Sequence, residues 1–230
     1  MRDRCYPFLG IVSVNSITLS WKKPQMKLQN LINPELALTV KDNAVTLEEA
    51  QTEKGALRDV TVHGLPNNVF VFSTDKKITV STDRWEKRRN QFLNFENDKI
   101  HKHCDAVIIH YDDSYLDIVF CELKSTTPEP IQYETQLINT KLFVDYSVTL
   151  FNQFYKEEGK ISLRNRRYVL FYVSKKRPVK VDKGMRDKIE IRRLPVPEIE
   201  KMQHYPENII KYPCLKTMYN HIEWQDLISL

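Results

Sequence analysis

Two apolar runs of β-forming residues, separated by a short polar stretch, constrain the fold of this chain more than any other feature. The first run, 105–110, contains Ala-Val-Ile-Ile, and the second, 117–124, contains Ile-Val-Phe-Cys-Glu-Leu-Lys. The stretch between them, Tyr-Asp-Asp-Ser-Tyr, is typical of a turn. Because so short a connection can join antiparallel strands but not parallel ones, the sequence predicts a β-hairpin.

A long amphipathic helix is predicted after the second run. Thr127 is a suitable N-cap, and Pro128 suits the first helical turn. The following positions recur every three or four residues, which is the period of one helix face: Leu137, Lys141, Val144, Val148, Phe151 and Tyr155. An apolar strand, 168–173, comes next. Hairpin, helix and strand in this order predict an α/β fold with a helical crossover.

The rest of the chain is divided around this core. We expect an N-terminal extension of strands and loops (1–66), a core (67–194) and a C-terminal tail (195–230) packed on the core or on a partner. Thr46, with Glu49 three residues later, predicts a short helix. Residues 69–72 and 78–80 predict another hairpin, and 85–95 predict a helix.

Composition excludes several classes of protein. The 230 residues are 41% hydrophobic and 28% charged, which is typical of a globular protein. The four cysteines lie far apart, so neither a zinc ribbon nor a disulfide scaffold is indicated, and Cys104 and Cys121 are expected to be small core residues. No apolar stretch is long enough for a membrane span, no secretory signal is visible, and we expect a cytoplasmic protein. Phosphate-binding and dinucleotide-binding glycine motifs are missing.

Positive charge is concentrated in one segment. The whole chain carries +5, but residues 160–193 contain thirteen Lys or Arg against three acids, so this segment is +10 and the remainder −5. Basic residues flank the predicted strand 168–173: Arg164, Arg166, Arg167, Lys175, Lys176 and Arg177. Clustered Lys and Arg indicate binding of nucleic-acid phosphates, and the alternative is a solvated rim.

Three residues that could bind a metal ion or take part in catalysis lie at the open end of the predicted hairpin. Asp105 begins one strand, and Glu122 and Lys124 end the other on a shared face, because side chains alternate along a strand. Asp105, Glu122 and the Leu123 carbonyl would supply oxygen ligands for Mg²⁺ or Mn²⁺. Lys124 would orient the attacking water and stabilise negative charge on a phosphate. The alternative is a salt-bridged end of the sheet.

This pattern, Asp followed by Glu-x-Lys across a hairpin, then a helix and a strand, resembles the PD-(D/E)xK nuclease superfamily over residues 69–173. The resemblance implies a restriction-endonuclease-like mixed sheet flanked by helices. The family's usual proline before the aspartate is replaced by Cys104. The resemblance also implies an upstream glutamate, with Glu96 and Glu86 as candidates. It further implies a glutamine on the following helix, with Gln136 preferred over Gln132. Each could instead be an ordinary surface residue.

The expected function is therefore metal-dependent hydrolysis of nucleic acid, with DNA as the expected substrate, in restriction, phage defence or DNA processing. A non-catalytic nucleic-acid-binding or assembly subunit is the first alternative. A protein-interaction subunit is the second, since aromatic residues in the tail are typical of an interface with a partner or a second copy: Tyr205, Tyr212, Tyr219 and Trp224.

Overall fold

A computed structural model describes residues 28–48, 59–74, 102–126, 128–155, 159–173, 192–193, 197–214 and 220–229. The strands are β1 (Val45–Glu48), β2 (Asp59–His63), β3 (Val69–Phe72), β4 (Ala106–Asp112), β5 (Tyr115–Lys124), β6 (Ser162–Val173), β7 (Arg192–Arg193), β8 (Glu198–Lys201), β9 (Asn208–Cys214) and β10 (Asn220–Glu223). The helices are α1 (Pro130–Phe154) and α2 (Trp224–Ile228), with 3₁₀ turns at Leu28–Leu31 and Pro34–Leu36. The protein is mixed α/β, with two mixed sheets and one long helix.

The larger sheet has the strand order β3-β4-β5-β6-β9-β8. The predicted hairpin is confirmed: β4 and β5 are antiparallel, with Ala106 opposite Cys121 and Asp112 opposite Tyr115. Only two residues connect the strands, and Asp113 has a φ of 51°, in the left-handed region that Asp tolerates better than most residues. This tight turn fixes the register, and therefore which residues meet at the other end of the hairpin.

Helix α1 provides the predicted crossover, because it leads from β5 to the parallel strand β6. It begins later than predicted, at Pro130 with Glu129 as N-cap. Glu129 is extended (φ −72°, ψ 138°), as expected of a residue that precedes proline. The predicted apolar face is confirmed at Leu137, Val144, Val148 and Phe151, which are buried.

The larger sheet is covered on both faces. On one face α1 packs through Leu137 and Val144 on residues such as Val107 and Phe120. On the other face, the smaller sheet contributes Val62 and its neighbours to a second core. Each strand of the hairpin therefore separates two cores, which explains why its apolar runs are nearly continuous.

The smaller sheet has the order β1-β2-β10, extended by the two-residue strand β7. The helix predicted from Thr46 is wrong, since this residue lies in β1. Val45 and Leu47 point into the core while Thr46 and Glu48 are exposed, an alternation that suits a strand paired with β2. β2 and β10 are parallel, so strands from distant parts of the sequence share one sheet.

The C-terminal part belongs to both sheets, since β8 and β9 complete the larger one and β10 the smaller one. Tyr212 and Trp224, two of the aromatic residues expected to mark an interface, are instead buried. The predicted strand 78–80 and the predicted helix 85–95 lie outside the described residues, as does Tyr219. In the described part of the chain, no helix combines the length and apolar character needed to cross a membrane.

Candidate functional site

The three residues singled out in the sequence come together at the open end of the β4–β5 hairpin. Asp105 directly precedes β4, and its Oδ2 accepts a hydrogen bond of 2.6 Å from the backbone N–H of Leu123. By strand alternation Glu122 and Lys124 share their face with Phe120, which lies in the core under α1. Glu122 and Lys124 therefore occupy the α1 side of the sheet, and Asp105 is tied to the residue between them.

Both carboxylates at this end are buried. Asp105 is 5% exposed and Glu122 0%. The ammonium group of Lys124, whose side chain is 23% exposed, forms an ion pair with Oε1 of Glu122. Burying carboxylates is costly unless cations or hydrogen-bond donors balance them. One lysine and two carboxylates at the same strand ends make this a site of negative formal charge, which suits a cation.

Helix α1 holds the backbone that leads into Asp105. Gln136 donates from Nε2 to the carbonyl of His103 (3.1 Å), and Asn139 donates from Nδ2 to the carbonyl of Lys102 (3.0 Å). Thr140 accepts from the N–H of Cys104 (2.8 Å). These helical residues are spaced i, i+3 and i+4, so they lie on one face and bind three consecutive residues of the preceding segment.

A second hydroxyl holds the same segment from the other side. Thr74, just after β3, donates to the carbonyl of Cys104. Both backbone polar groups of Cys104 are thus bound by threonines, one on α1 and one beyond β3. Thr74 and Thr140 together form a clamp on Cys104. Because Asp105 is the next residue, this clamp fixes the position of the Asp105 backbone.

The role expected of Gln136 at the reacting atoms stays a prediction. In the structure its amide donates to the backbone carbonyl of His103, two residues before Asp105. The sequence reasoning missed Thr140, Asn139 and Thr74. The i, i+3, i+4 spacing of polar residues from Gln136 is the signal that could have found the two on the helix, but Thr74 offers no comparable pattern.

The two cysteines of the hairpin are small core residues, as predicted. Cys104 and Cys121 are completely buried and lie in different cores, on opposite faces of the sheet. Burial, followed by the nearby carboxylates, raises the pKa of the Cys121 thiol well above its usual range, and burial together with Glu122 does the same for Cys104. Neither thiol is therefore a ready nucleophile or a thiolate ligand.

The oxygen atoms at the open end of the hairpin suit a hard cation that also keeps several water ligands. Within the described residues, no group of three His, Cys, Asp or Glu side chains could hold a metal ion. A cation here would use Asp105, Glu122 and the carbonyl of Leu123, whose side chain lies in the opposite core. Mg²⁺ is commonly bound in this way, by one or two carboxylates with water and substrate phosphate completing the shell.

The basic residues expected to bind nucleic acid are distributed differently from the prediction. Arg164, Arg166 and Arg167 lie within β6, not in loops that flank it. Arg166 donates from Nη2 to Asp145 of α1 at 2.6 Å, and Arg164 forms ion pairs with Asp112 and Asp117. Lys175, Lys176, Arg177 and the candidate Glu96 lie outside the described residues.

The turn end of the hairpin shows how acids are balanced elsewhere in the same strands. Asp117 is buried, and it accepts hydrogen bonds from Arg164 and from Asn165 (2.7 Å), while His110 lies 3.3 Å away. The Arg164 guanidinium holds the pKa of Asp117 at about 2. This cluster ties β4, β5 and β6 together beside the shift in register between Leu116 and Asp117.

We compared the chain with known proteins to ask whether a relative assigns a role to the open end of the hairpin. Neither models of protein families, nor curated proteins, nor solved structures gave a match. The role of Asp105, Glu122 and Lys124 therefore rests on their own geometry and chemistry.

Proposed function

We propose that this protein is a metal-dependent nuclease of the PD-(D/E)xK type with a restriction-endonuclease-like core. The observation that carries the proposal is the convergence of Asp105, Glu122 and Lys124. They lie at the open end of the hairpin, where both carboxylates are buried, Lys124 is paired with Glu122, and Asp105 accepts from the N–H of Leu123 between them.

The order of elements around the site supports the proposed family. Strands β3, β4 and β5 are successive antiparallel neighbours, and α1 then crosses to β6, which is parallel to β5. This is the hairpin, helix and strand on which the resemblance was based. It brings the Asp and the Glu-x-Lys together, as that resemblance requires.

The proposed roles follow from the chemistry of each group. A bound Mg²⁺ or Mn²⁺ would supply Lewis acidity toward a phosphate oxygen and lower the pKa of a bound water. Asp105, Glu122 and the Leu123 carbonyl would hold the ion. The hydrogen bond from Leu123 to Asp105 and the clamp at Cys104 would keep one carboxylate in place.

Lys124 would act at the substrate side of the site. It is the last residue of β5, and its side chain is the most exposed of the three. An ammonium group at this position would orient the attacking water and stabilise the charge that develops on the phosphate.

The proposed substrate is DNA, bound at the edge where β5 and β6 end. Because the two strands are parallel, Lys124 and Tyr172 lie at the same level. The basic residues 175–177 begin two positions after the last residue of β6 in the sequence. Arg164 and Arg166 are already paired with acids, so the phosphate contacts are assigned to Lys175, Lys176 and Arg177.

Cleavage of plasmid DNA tests this proposal. The wild-type protein should nick or linearise the plasmid with Mg²⁺ and lose the activity in EDTA, and Asp105→Asn, Glu122→Gln and Lys124→Met should be inactive. Asp117→Asn, which alters a buried aspartate at the other end of β5, is the matched control and should still cleave. Equal cleavage by all variants would remove the site assignment, and salt-sensitive binding without cleavage would favour the non-catalytic alternative.

A further inference from the structure

Lys124 is the counter-ion of a fully buried carboxylate. Its Nζ contacts Oε1 of Glu122, whose side chain has no exposed surface. Lys124 itself ends β5 and keeps part of its side chain accessible to solvent. The ion pair thus joins a carboxylate inside the protein to a cation on a long side chain that reaches the surface.

The carboxylate of Asp105 and the backbone of Glu122 are more restrained than the lysine side chain. Asp105 is bound by the N–H of Leu123 and follows the clamped residue Cys104. Glu122 lies inside β5, between β4 and β6 in the sheet. When another cation reaches these carboxylates, the lysine head group is the part of the site that is able to move away.

We propose that Lys124 and a divalent cation compete for Glu122, so that the lysine sets the affinity of the site for metal. This inference rests on the proposed nuclease function, because it takes Asp105 and Glu122 as the metal ligands. Metal binding would release the ammonium group from Glu122. The released group would then be available to the water and phosphate, so that metal binding would switch Lys124 from counter-ion to catalytic residue.

The physical reason is repulsion between like charges at short range. An ammonium group in contact with Glu122 is close to any divalent cation bound by the same carboxylate, and partial burial limits screening by water. Replacing Lys124 by methionine keeps the length of the stem and removes this charge. Replacing Lys124 should therefore strengthen metal binding, although it should abolish cleavage.

Calorimetric titration with Mn²⁺ tests the competition, with no substrate present. Lys124→Met should bind Mn²⁺ at least about tenfold more tightly than the wild type. Lys124→Arg, which keeps the charge, should stay within about threefold of the wild type. The matched control is Lys141→Met, since Lys141 has a side chain of similar exposure (19%) and is paired with Asp145 on α1, and its affinity should be unchanged.

Thermal unfolding gives a second measurement of the same quantity. Mn²⁺ should raise the Tm of Lys124→Met by more than it raises that of the wild type, because ligand stabilisation grows with affinity. If Lys124→Met does not fold without metal, Lys124→Gln, which keeps a polar head group, is titrated in its place.

The outcomes separate this inference from the proposed function. A wild type that cleaves DNA while its Lys124→Met variant binds Mn²⁺ equally or more weakly would overturn the competition and leave the nuclease proposal in place. A wild type that neither binds Mn²⁺ nor cleaves would overturn both.

Discussion

The two ends of the β4–β5 hairpin contain the same kinds of residue in different surroundings. At the turn end, Asp112 and Asp117 share Arg164, and at the open end, Asp105 and Glu122 lie beside Lys124. Each end therefore has two carboxylates and one cation. The composition alone does not distinguish a structural ion-pair cluster from a candidate catalytic site.

Burial and geometry make the difference. The side chain of Asp112 is 49% exposed, and Arg164 presents a planar fork to both acids, so water and multiple hydrogen bonds balance the turn end. At the open end both carboxylates are inside the protein, and the cation is a single ammonium group. We conclude that a pair of buried carboxylates, more than the presence of acids and bases, marks the end of the hairpin that suits metal chemistry.

The largest expected effect separates the two ends by activity. Glu122→Gln should lower Mg²⁺-dependent DNA cleavage by at least about 100-fold, because metal ligation supplies several kcal/mol of transition-state stabilisation. Asp117→Asn should leave cleavage within about threefold of the wild type, under conditions where both proteins are folded. A gel assay of initial rates makes the comparison, and similar losses in the two variants would show that the ends are not functionally distinct.

The second expected effect is on stability, and here the turn end should be the more sensitive of the two ends. Asp117→Asn should lower the free energy of unfolding by about 1.5–3 kcal/mol, the usual contribution of hydrogen bonds to a charged group. Glu122→Gln should cost less, because it also removes a buried charge. Urea denaturation followed by circular dichroism measures both. A larger loss for Glu122→Gln would assign the open end a structural role.

A third effect tests the clamp that distinguishes the open end. Thr140→Val leaves the buried N–H of Cys104 without its acceptor and should cost about 1–2 kcal/mol of unfolding free energy. Thr149→Val is the control, since Thr149 is exposed on the same helix and donates to the carbonyl of Asp145, and its cost should be within about 0.5 kcal/mol.

Activity completes this third test. Because the clamp precedes Asp105, cleavage by Thr140→Val should also fall several-fold relative to Thr149→Val well below the Tm. Equal activity of the two variants would limit the clamp to stability.

The smallest effect is the pH dependence of the turn end. The folded pKa of Asp117 is lowered to about 2 by Arg164, whereas an unfolded aspartate titrates near about 3.9. Its contribution to stability is therefore complete above pH ~4 and is lost as the pH falls toward 2. Asp117→Asn should flatten the stability curve between pH 4 and ~2. Denaturation at several pH values checks this, and an unchanged curve would contradict the proposed pairing.

Sequence alone predicted the parts of the fold that depend on local periodicity. The hairpin followed from two apolar runs and a five-residue polar stretch, and α1 from the spacing of Leu137, Val144 and Phe151. Asp105, Glu122 and Lys124 could be placed together because a hairpin has only one plausible pairing at its open end. Each of these inferences uses residues within one helix or one hairpin.

The features that sequence did not predict depend on distant partners. Thr46 has a helix-type neighbour at Glu49, but pairing of β1 with β2 overrides that local preference. The cluster of basic residues predicts nucleic-acid binding for Arg164, and it does not reveal the partner Asp117, which lies 47 residues away. Thr140 binds Cys104 from 36 residues away, so the polar spacing on the helix could single out Thr140 but not identify its partner.

The most direct test of the account is the position of a bound ion. Crystals equilibrated with Mn²⁺ should show an anomalous difference peak between Asp105 and Glu122, at about 2.0–2.4 Å from a carboxylate oxygen of each. We expect the same crystals to show the ammonium group of Lys124 displaced from Glu122. A fully ordered site with no peak, and with Lys124 still paired to Glu122, would contradict the metal site and the function proposed from it.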